Sequence, residues 1–255
     1  MNELLLSPCT ICGNTSFIPG PTGRVGGLTD KGLPPRCALC GSMDRHRAVY
    51  NIWETLQILY PLNTYVCLQF SKDPTIRSEW FKEFHVSQYG GVNSMDLQRI
   101  PLPDACVDTV VCNHVLEHVA DDVAALREML RIVRRNGFIQ ISFPISLQSE
   151  KTDDWGYPDE QQYGHYRLYG RDILNLFVRA LPGAFLVTLL GHDACTESDR
   201  VIFLISHSPI MRPAASVLPH AHFQRLEEGA AFPPEILYRK LGKLHCTDDG
   251  RRAVA

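Results

Sequence analysis

The sequence predicts an α/β fold, an open and mostly parallel sheet flanked by helices, preceded by a small cysteine-rich module. Three observations lead there. Between Thr64 and Ser206, strand-like apolar runs take turns with segments of helical period. Cys106 to Cys112 is apolar apart from Asp108 and Thr109, with β-branched Thr109, Val110 and Val111, as expected of a strand buried on both faces of a parallel sheet. Ahead of these runs stand two Cys-x2-Cys pairs.

Taken in order, Gly20 to Pro35 is rich in glycine and proline, and the first boundary falls after Arg47. Ala48 to Leu59 reads as a helix, Thr64 to Phe70 as a strand, and Pro74 to Glu83 as a helix with Asp73 at its cap and Pro74 at its first position. His85 to Tyr89 and Val92 to Asp96 read as two short strands. After Cys106 to Cys112, a helix starts at Asp121 or Asp122, where a carboxylate caps it and favours its positive end. Val123, Leu126, Leu130 and Val133 follow at helical spacing, Asn136-Gly137 ends the helix, and Phe138 to Phe143 is a strand closed by Pro144. Beyond a polar loop, Tyr169 to Leu181 is helical. Phe185 to Leu190 and Val201 to Ile205 form an antiparallel edge hairpin. The expected organisation is 1–48 as the cysteine module, 49–208 as the sheet domain, and 209–255 as a tail of unassigned structure.

With 255 residues, 45% hydrophobic and 21% charged, the chain can bury one good core and a small appendage. A net charge of −3 gives no general attraction for polyanions, so nucleic acid is not an expected partner. The apolar run Leu4 to Leu6 is too short for a signal segment, and no stretch suits a bilayer span. These features lead to an expectation of a soluble, cytoplasmic protein, where paired cysteines mean metal more often than disulfide.

Cys9-x2-Cys12 and Cys37-x2-Cys40 are each followed by a glycine that lets the chain turn around an ion. Four thiolates make a closed tetrahedral zinc site, which is structural because no coordination position stays open. Cys67, Cys106, Cys112, Cys195 and Cys246 read as small buried hydrophobes. The stretch Asn113-His-Val-Leu-Glu-His-Val119 is ambiguous taken alone. His114-x-x-Glu117-His118 fits a zinc-dependent hydrolase pattern, but that pattern needs a helix, and here it leaves a buried strand.

Val107 to Val119, Arg134 to Phe138 and Phe143-Pro144 together resemble the type-11 group of class I, S-adenosylmethionine-dependent methyltransferases. The cysteine pairs followed by Gly41-Ser42-Met43-Asp44-Arg45-His46-Arg47, and later His165-x-Arg167-x-Tyr169-Gly170, are similar to a zinc-ribbon subgroup of these enzymes. The resemblance implies a Rossmann-like, seven-stranded sheet with the cofactor across the carboxyl ends of its first strands. It implies cofactor contacts from Gln69, Phe70 and Ser71, from Tyr89 at the second strand, from Asp96 and Leu97 at the third, and from Asn113. His114 would be the catalytic base toward a hydroxyl acceptor. Tyr157, His165 and Arg167 would meet a small-molecule substrate, Arg167 suiting an acidic one. Two departures stand out: the turn Ser71-Lys72-Asp73-Pro74-Thr75 holds no glycine, and Tyr89 replaces a ribose-binding carboxylate. The expected function is methyl transfer to oxygen or nitrogen of a small molecule; the alternative is a methyltransferase-shaped binding or scaffold protein.

Overall fold

The computed structural model describes residues 7–21 and 27–241, with 244–246 and 252–254 described as backbone only. Leu4 to Leu6 and the Cys246 side chain lie outside the described residues. In chain order the elements are β1 (Phe17–Ile18), β2 (Arg36–Cys37), α1 (Asp44–Leu59), β3 (Val66–Phe70), β4 (Glu83–Ser87), β5 (Val107–Asn113), α2 (Asp122–Ile132) and β6 (Val133–Ser142). They continue with β7 (Asp153–Asp159), β8 (His165–Leu168), α3 (Ile173–Ala180), β9 (Phe185–Asp193), β10 (Ser198–Ser206), α4 (Arg212–Val217), β11 (His222–Arg225), α5 (Pro234–Leu241), β12 (Leu244–Cys246) and β13 (Arg252–Val254).

The central sheet has seven strands in the order β11-β9-β10-β6-β5-β3-β4. β4, β3, β5 and β6 are mutually parallel, and β10, β9 and β11 add antiparallel pairs at the other side. Alternation along the strands feeds two cores. Cys67, Val111, Phe138, Val187 and Ile202 meet α1 and α4 through Trp53, Leu56 and Ala214. Leu68, Val110, Ile139, Ile141 and Phe203 meet α2, α3 and α5 through Leu126, Met129, Phe177 and Ile236. Apolar area removed from water on both faces stabilises the sheet at about 25 cal/mol per Å². Two glycines permit close approach: a Cβ on Gly191 would lie 2.6 Å from the Ala48 carbonyl of α1, and one on Gly137 2.1 Å from the Asp108 carbonyl of β5.

Several expectations change. The strand expected at Val92 to Asp96 is a turn, and the seventh strand is β11, from the tail. Gly90 adopts positive φ, Met95 N–H donates to the Ser87 hydroxyl, and Val92 points wholly into solvent, so nothing anchors an outer strand. The helix expected at Pro74 to Glu83 is also absent, apart from one short turn at Ser78–Trp80. Asp73 accepts from both the N–H and the hydroxyl of Thr75, closing a tight turn in place of a helix cap. Trp80 and Phe81 then fold onto Tyr50 and Trp53 of α1, which occupies that face. The α2 helix ends at Ile132, before Asn136-Gly137, which lie inside β6. Position 48 falls inside α1, and β11 lies beyond 208. No described helix is long and apolar enough to cross a membrane.

Candidate functional site

The parallel strands β3 and β5 end at the same side of the sheet, and the chain turns sharply after each. Ser71 follows β3 at φ 63° and His114 follows β5 at φ 53°, both left-handed. Left-handed backbone at non-glycine residues stores strain, and such strain concentrates at functional positions. Between these turns lies a cavity of about 1030 Å³, walled by Ser71 to Pro74, Asn113, His114, Glu117 and His118. Arg45 and His46 of α1 close one side, and Trp155, Tyr157, Tyr163 and His165 from the β7–β8 region close the other. A smaller cavity of about 420 Å³ shares Arg45, His114 and Pro144 with it.

The floor is a buried polar network. Asn113 Nδ2 donates to the Thr75 hydroxyl at 3.2 Å, while its Oδ1 accepts from Gln140 at 2.9 Å and from Ser142 at 2.7 Å. Its carbonyl oxygen is therefore committed to the floor. Burial raises the Asp73 carboxyl above the usual carboxylate range, against its bonds from Thr75. Burial likewise pushes His46 down to about 3, helped by Arg45 and His114, so it stays neutral and Nδ1 accepts from Met43 N–H at 3.1 Å. Arg45 has a buried Nε without a hydrogen-bond partner, and burial lowers its pKa, opposed by Asp44. His114 Nδ1 stands 3.4 Å from Oε1 of Glu117, whose two buried oxygens also lack a hydrogen-bond partner.

Of the residues anticipated from sequence, Ser71, Asn113, His114, Tyr157 and His165 come together around this cavity. The others do not. Tyr89 lies past the end of β4 and is 94% exposed, because β4 ends two residues earlier than expected. Asp96 caps a local turn by accepting from the Gln98 backbone and side chain. Leu97 and Phe70 are core residues, and Gln69 is buried with its amide on Asp73. Arg167 is consumed internally: it donates to Asp154 and to the carbonyls of Val119 and Ala120, each at 2.8 Å. It fastens the β7–β8 hairpin to the loop after β5 and does not line the cavity. Arg45 and Glu117 were missed as cavity walls; the signal for the first was its place in the Gly41 to Arg47 motif.

The four cysteines of the N-terminal module converge. Their sulfurs lie within 4.8 Å of one another, with Cys9 to Cys40 at 3.7 Å and Cys12 to Cys37 at 3.5 Å, and all are free thiols. A tetrahedral zinc with Zn–S of about 2.3 Å has sulfur–sulfur edges of about 3.8 Å, close to these separations. At Cys37 burial disfavours the thiolate, but backbone N–H groups of Cys40 and Leu39 and the Asn14 amide bring it down to about 6. Burial pushes Cys12 up to about 12.

Residues 60–141 match the family model described as "Methyltransferase domain". The chain is 42% identical over 60 residues to the Mycobacterium tuberculosis (strain H37Rv) protein named "Probable S-adenosylmethionine-dependent methyltransferase", covering 23% of this chain and 22% of that one. It is 31% identical over 90 residues to a ubiquinone/menaquinone biosynthesis C-methyltransferase of Caulobacter sp. (strain K31), covering 34% and 36%. Among solved structures, the Burkholderia thailandensis 1,6-didemethyltoxoflavin-N1-methyltransferase superposes at 15% identity with a TM-score of 0.44, covering 63% of this chain and 76% of that one. The chain thus spans about a fifth to a third of the length of the curated relatives it matches. The segment that matches the family model, residues 60–141, holds β3, β4, β5, α2 and all but the last residue of β6.

Proposed function

We propose that this chain binds S-adenosylmethionine in the larger cavity and transfers its methyl group to an oxygen or nitrogen of a small-molecule acceptor. The observation that carries this reading is the cavity itself, formed by the turns after β3 and β5 within the matched segment. In open α/β sheets ligands bind at the carboxyl ends of the strands. The residues fit the group: the unpartnered Nε of Arg45 is a cationic donor on the cavity wall, suited to the cofactor carboxylate. When bound, S-adenosylmethionine supplies a methyl already activated on a sulfonium, so orientation of the acceptor is the main demand on the protein. His114, on the cavity wall just after β5, would accept the acceptor proton. The four cysteines would hold a structural zinc.

Calorimetric titration of the whole chain with S-adenosylmethionine tests the reading. Saturable binding is expected, weakened by about 10- to 100-fold in Arg45→Ala, the loss of a charge-assisted hydrogen bond of about 1.5–3 kcal/mol. No detectable heat with folded protein would refute it. His114→Ala should keep cofactor affinity and slow methyl transfer by about 100-fold or more; an unchanged rate would remove His114 as the base. A second reading, a binding or scaffold protein of methyltransferase shape, is favoured by one observation: no carboxylate stands at the end of β4, where Tyr89 projects into solvent.

A further inference from the structure

The loop after β5 and the start of β8 meet at a corner of the cavity that orienting a methyl acceptor does not require. There Glu117, His118 and His165 each offer a ligand atom, and these atoms all lie within 4.8 Å of one another. Glu117 is only 1% exposed, faces the cavity, and has no hydrogen-bond partner at either carboxylate oxygen. Among the described residues no lysine or arginine forms an ion pair with it, and the His114 ring approaches to 3.4 Å without hydrogen-bond geometry. Arg45 and His165 feel its charge from a distance, but no donor sits on either buried oxygen, which leaves both lone-pair sets open to a cation at this point.

The two histidines are prepared for that cation. His118 Nδ1 lies 3.2 Å from the Gly164 carbonyl, which can only accept; the proton therefore sits on Nδ1 and the lone pair on Nε2. A ring nitrogen fixed by a backbone carbonyl is how metal-bound imidazoles are held. The His165 ring stands edge to face with His118, centroids 4.6 Å apart, and the Trp155 indole steadies the His165 carbonyl at 2.8 Å. Arg167, two residues on, ties this strand to the carbonyls of Val119 and Ala120, fixing the distance between the two ligand segments.

We propose that Glu117, His118 and His165 bind a divalent transition-metal ion whose remaining coordination positions face the cavity and take an oxygen-donor ligand. Two imidazoles and one carboxylate leave positions open, unlike the closed four-cysteine set, and suit zinc or ferrous iron. This arrangement is not the H-x-x-E-H pattern, in which both histidines would ligate and Glu117 would stay free. Here Glu117 ligates and the second imidazole comes from β8.

Cobalt(II) titrated into the metal-free full chain, followed by electronic absorption, separates the two sites. One equivalent should show intense thiolate-to-cobalt charge transfer from the cysteines, and a second only weak ligand-field bands. His165→Ala and His118→Ala should each weaken the second equivalent by at least about tenfold and leave the first unchanged. Circular dichroism verifies that both variants fold; the His118 ring is exposed, so its replacement disturbs little packing. A second equivalent that never appears, or one whose affinity neither substitution alters, would overturn the proposal. The readout needs neither S-adenosylmethionine nor an acceptor, so its failure is distinct from failure of methyl transfer.

Discussion

Arg47→Ala is expected to destabilise the chain by about 3–5 kcal/mol in chemical denaturation, the cost of stripping the partner from a buried charge. Arg47 and Asp193 have side chains with no solvent exposure. The guanidinium meets the carboxylate through two bonds of 2.8 Å, from Nε to Oδ1 and from Nη2 to Oδ2. Its remaining donors reach the Ser42 carbonyl at 2.8 Å and the Pro35 carbonyl at 2.9 Å, and Thr196 donates to the same carboxylate at 2.7 Å. One planar fork therefore ties the N-terminal module, α1 and the end of β9 together. Lysine cannot reproduce this geometry, and Arg47→Lys should lose most of the same stability. The double replacement Arg47→Met with Asp193→Leu should recover part of the loss, because no lone charge remains; the Pro35 carbonyl loses its Arg47 donor and the Ser42 carbonyl keeps only the Cys37 N–H, so recovery is incomplete. Equal stability of the Ala variant and the wild type would contradict this account of the junction.

Removing the proposed zinc is expected to have the largest effect of all, and a local one. Structural zinc contributes apparent binding energies of about 10–16 kcal/mol in small thiolate modules. The described part of this module has little else: β1 and β2 pair over two residues each, and Cys9 and Cys37 are its buried apolar-type side chains apart from Pro35. Chelation, or Cys37→Ser, should make the first 40 or so residues susceptible to limited proteolysis and leave the seven-stranded sheet protected. The sheet persists because its two cores draw nothing from residues before α1. Proteolytic protection that survives loss of the thiolate-bound metal would argue for a packing explanation of the module in place of a metal one.

Strands whose burial is decided by their own side chains were legible from the sequence. β5, with its β-branched apolar run, and the β9–β10 hairpin lie where periodicity put them, and the Asp121 cap accepts from Ala124 N–H as its position implied. What was not legible depended on residues distant in the chain. Whether Pro74 to Glu83 forms a helix was settled by Trp53 of α1 drawing Phe81 onto the sheet face, a contact that local propensity cannot encode. The edge position given to Val92 to Asp96 required a strand whose alternate residues could be buried, yet Val92 has no surface to pack on. Ser71, Asn113 and His114 line the cavity because topology fixes the turns after β3 and β5. Tyr89, Asp96 and Leu97 were misplaced because a two-residue error in the end of β4, and a strand that does not form, shifted everything between. The polar, aromatic loop around Arg167 suggests a substrate contact; its partners in the fold include two backbone carbonyls that no sequence pattern announces.

The proposed function stands on the cavity between the turns after β3 and β5 receiving the cofactor. A crystal structure of the chain grown with S-adenosylhomocysteine tests it most directly. The ligand's amino-acid end is expected against Ser71 to Pro74, with its carboxylate on Arg45 and its sulfur directed toward Asn113 and His114. Ligand bound elsewhere on the sheet, or a cavity without ligand at a saturating concentration, would contradict it.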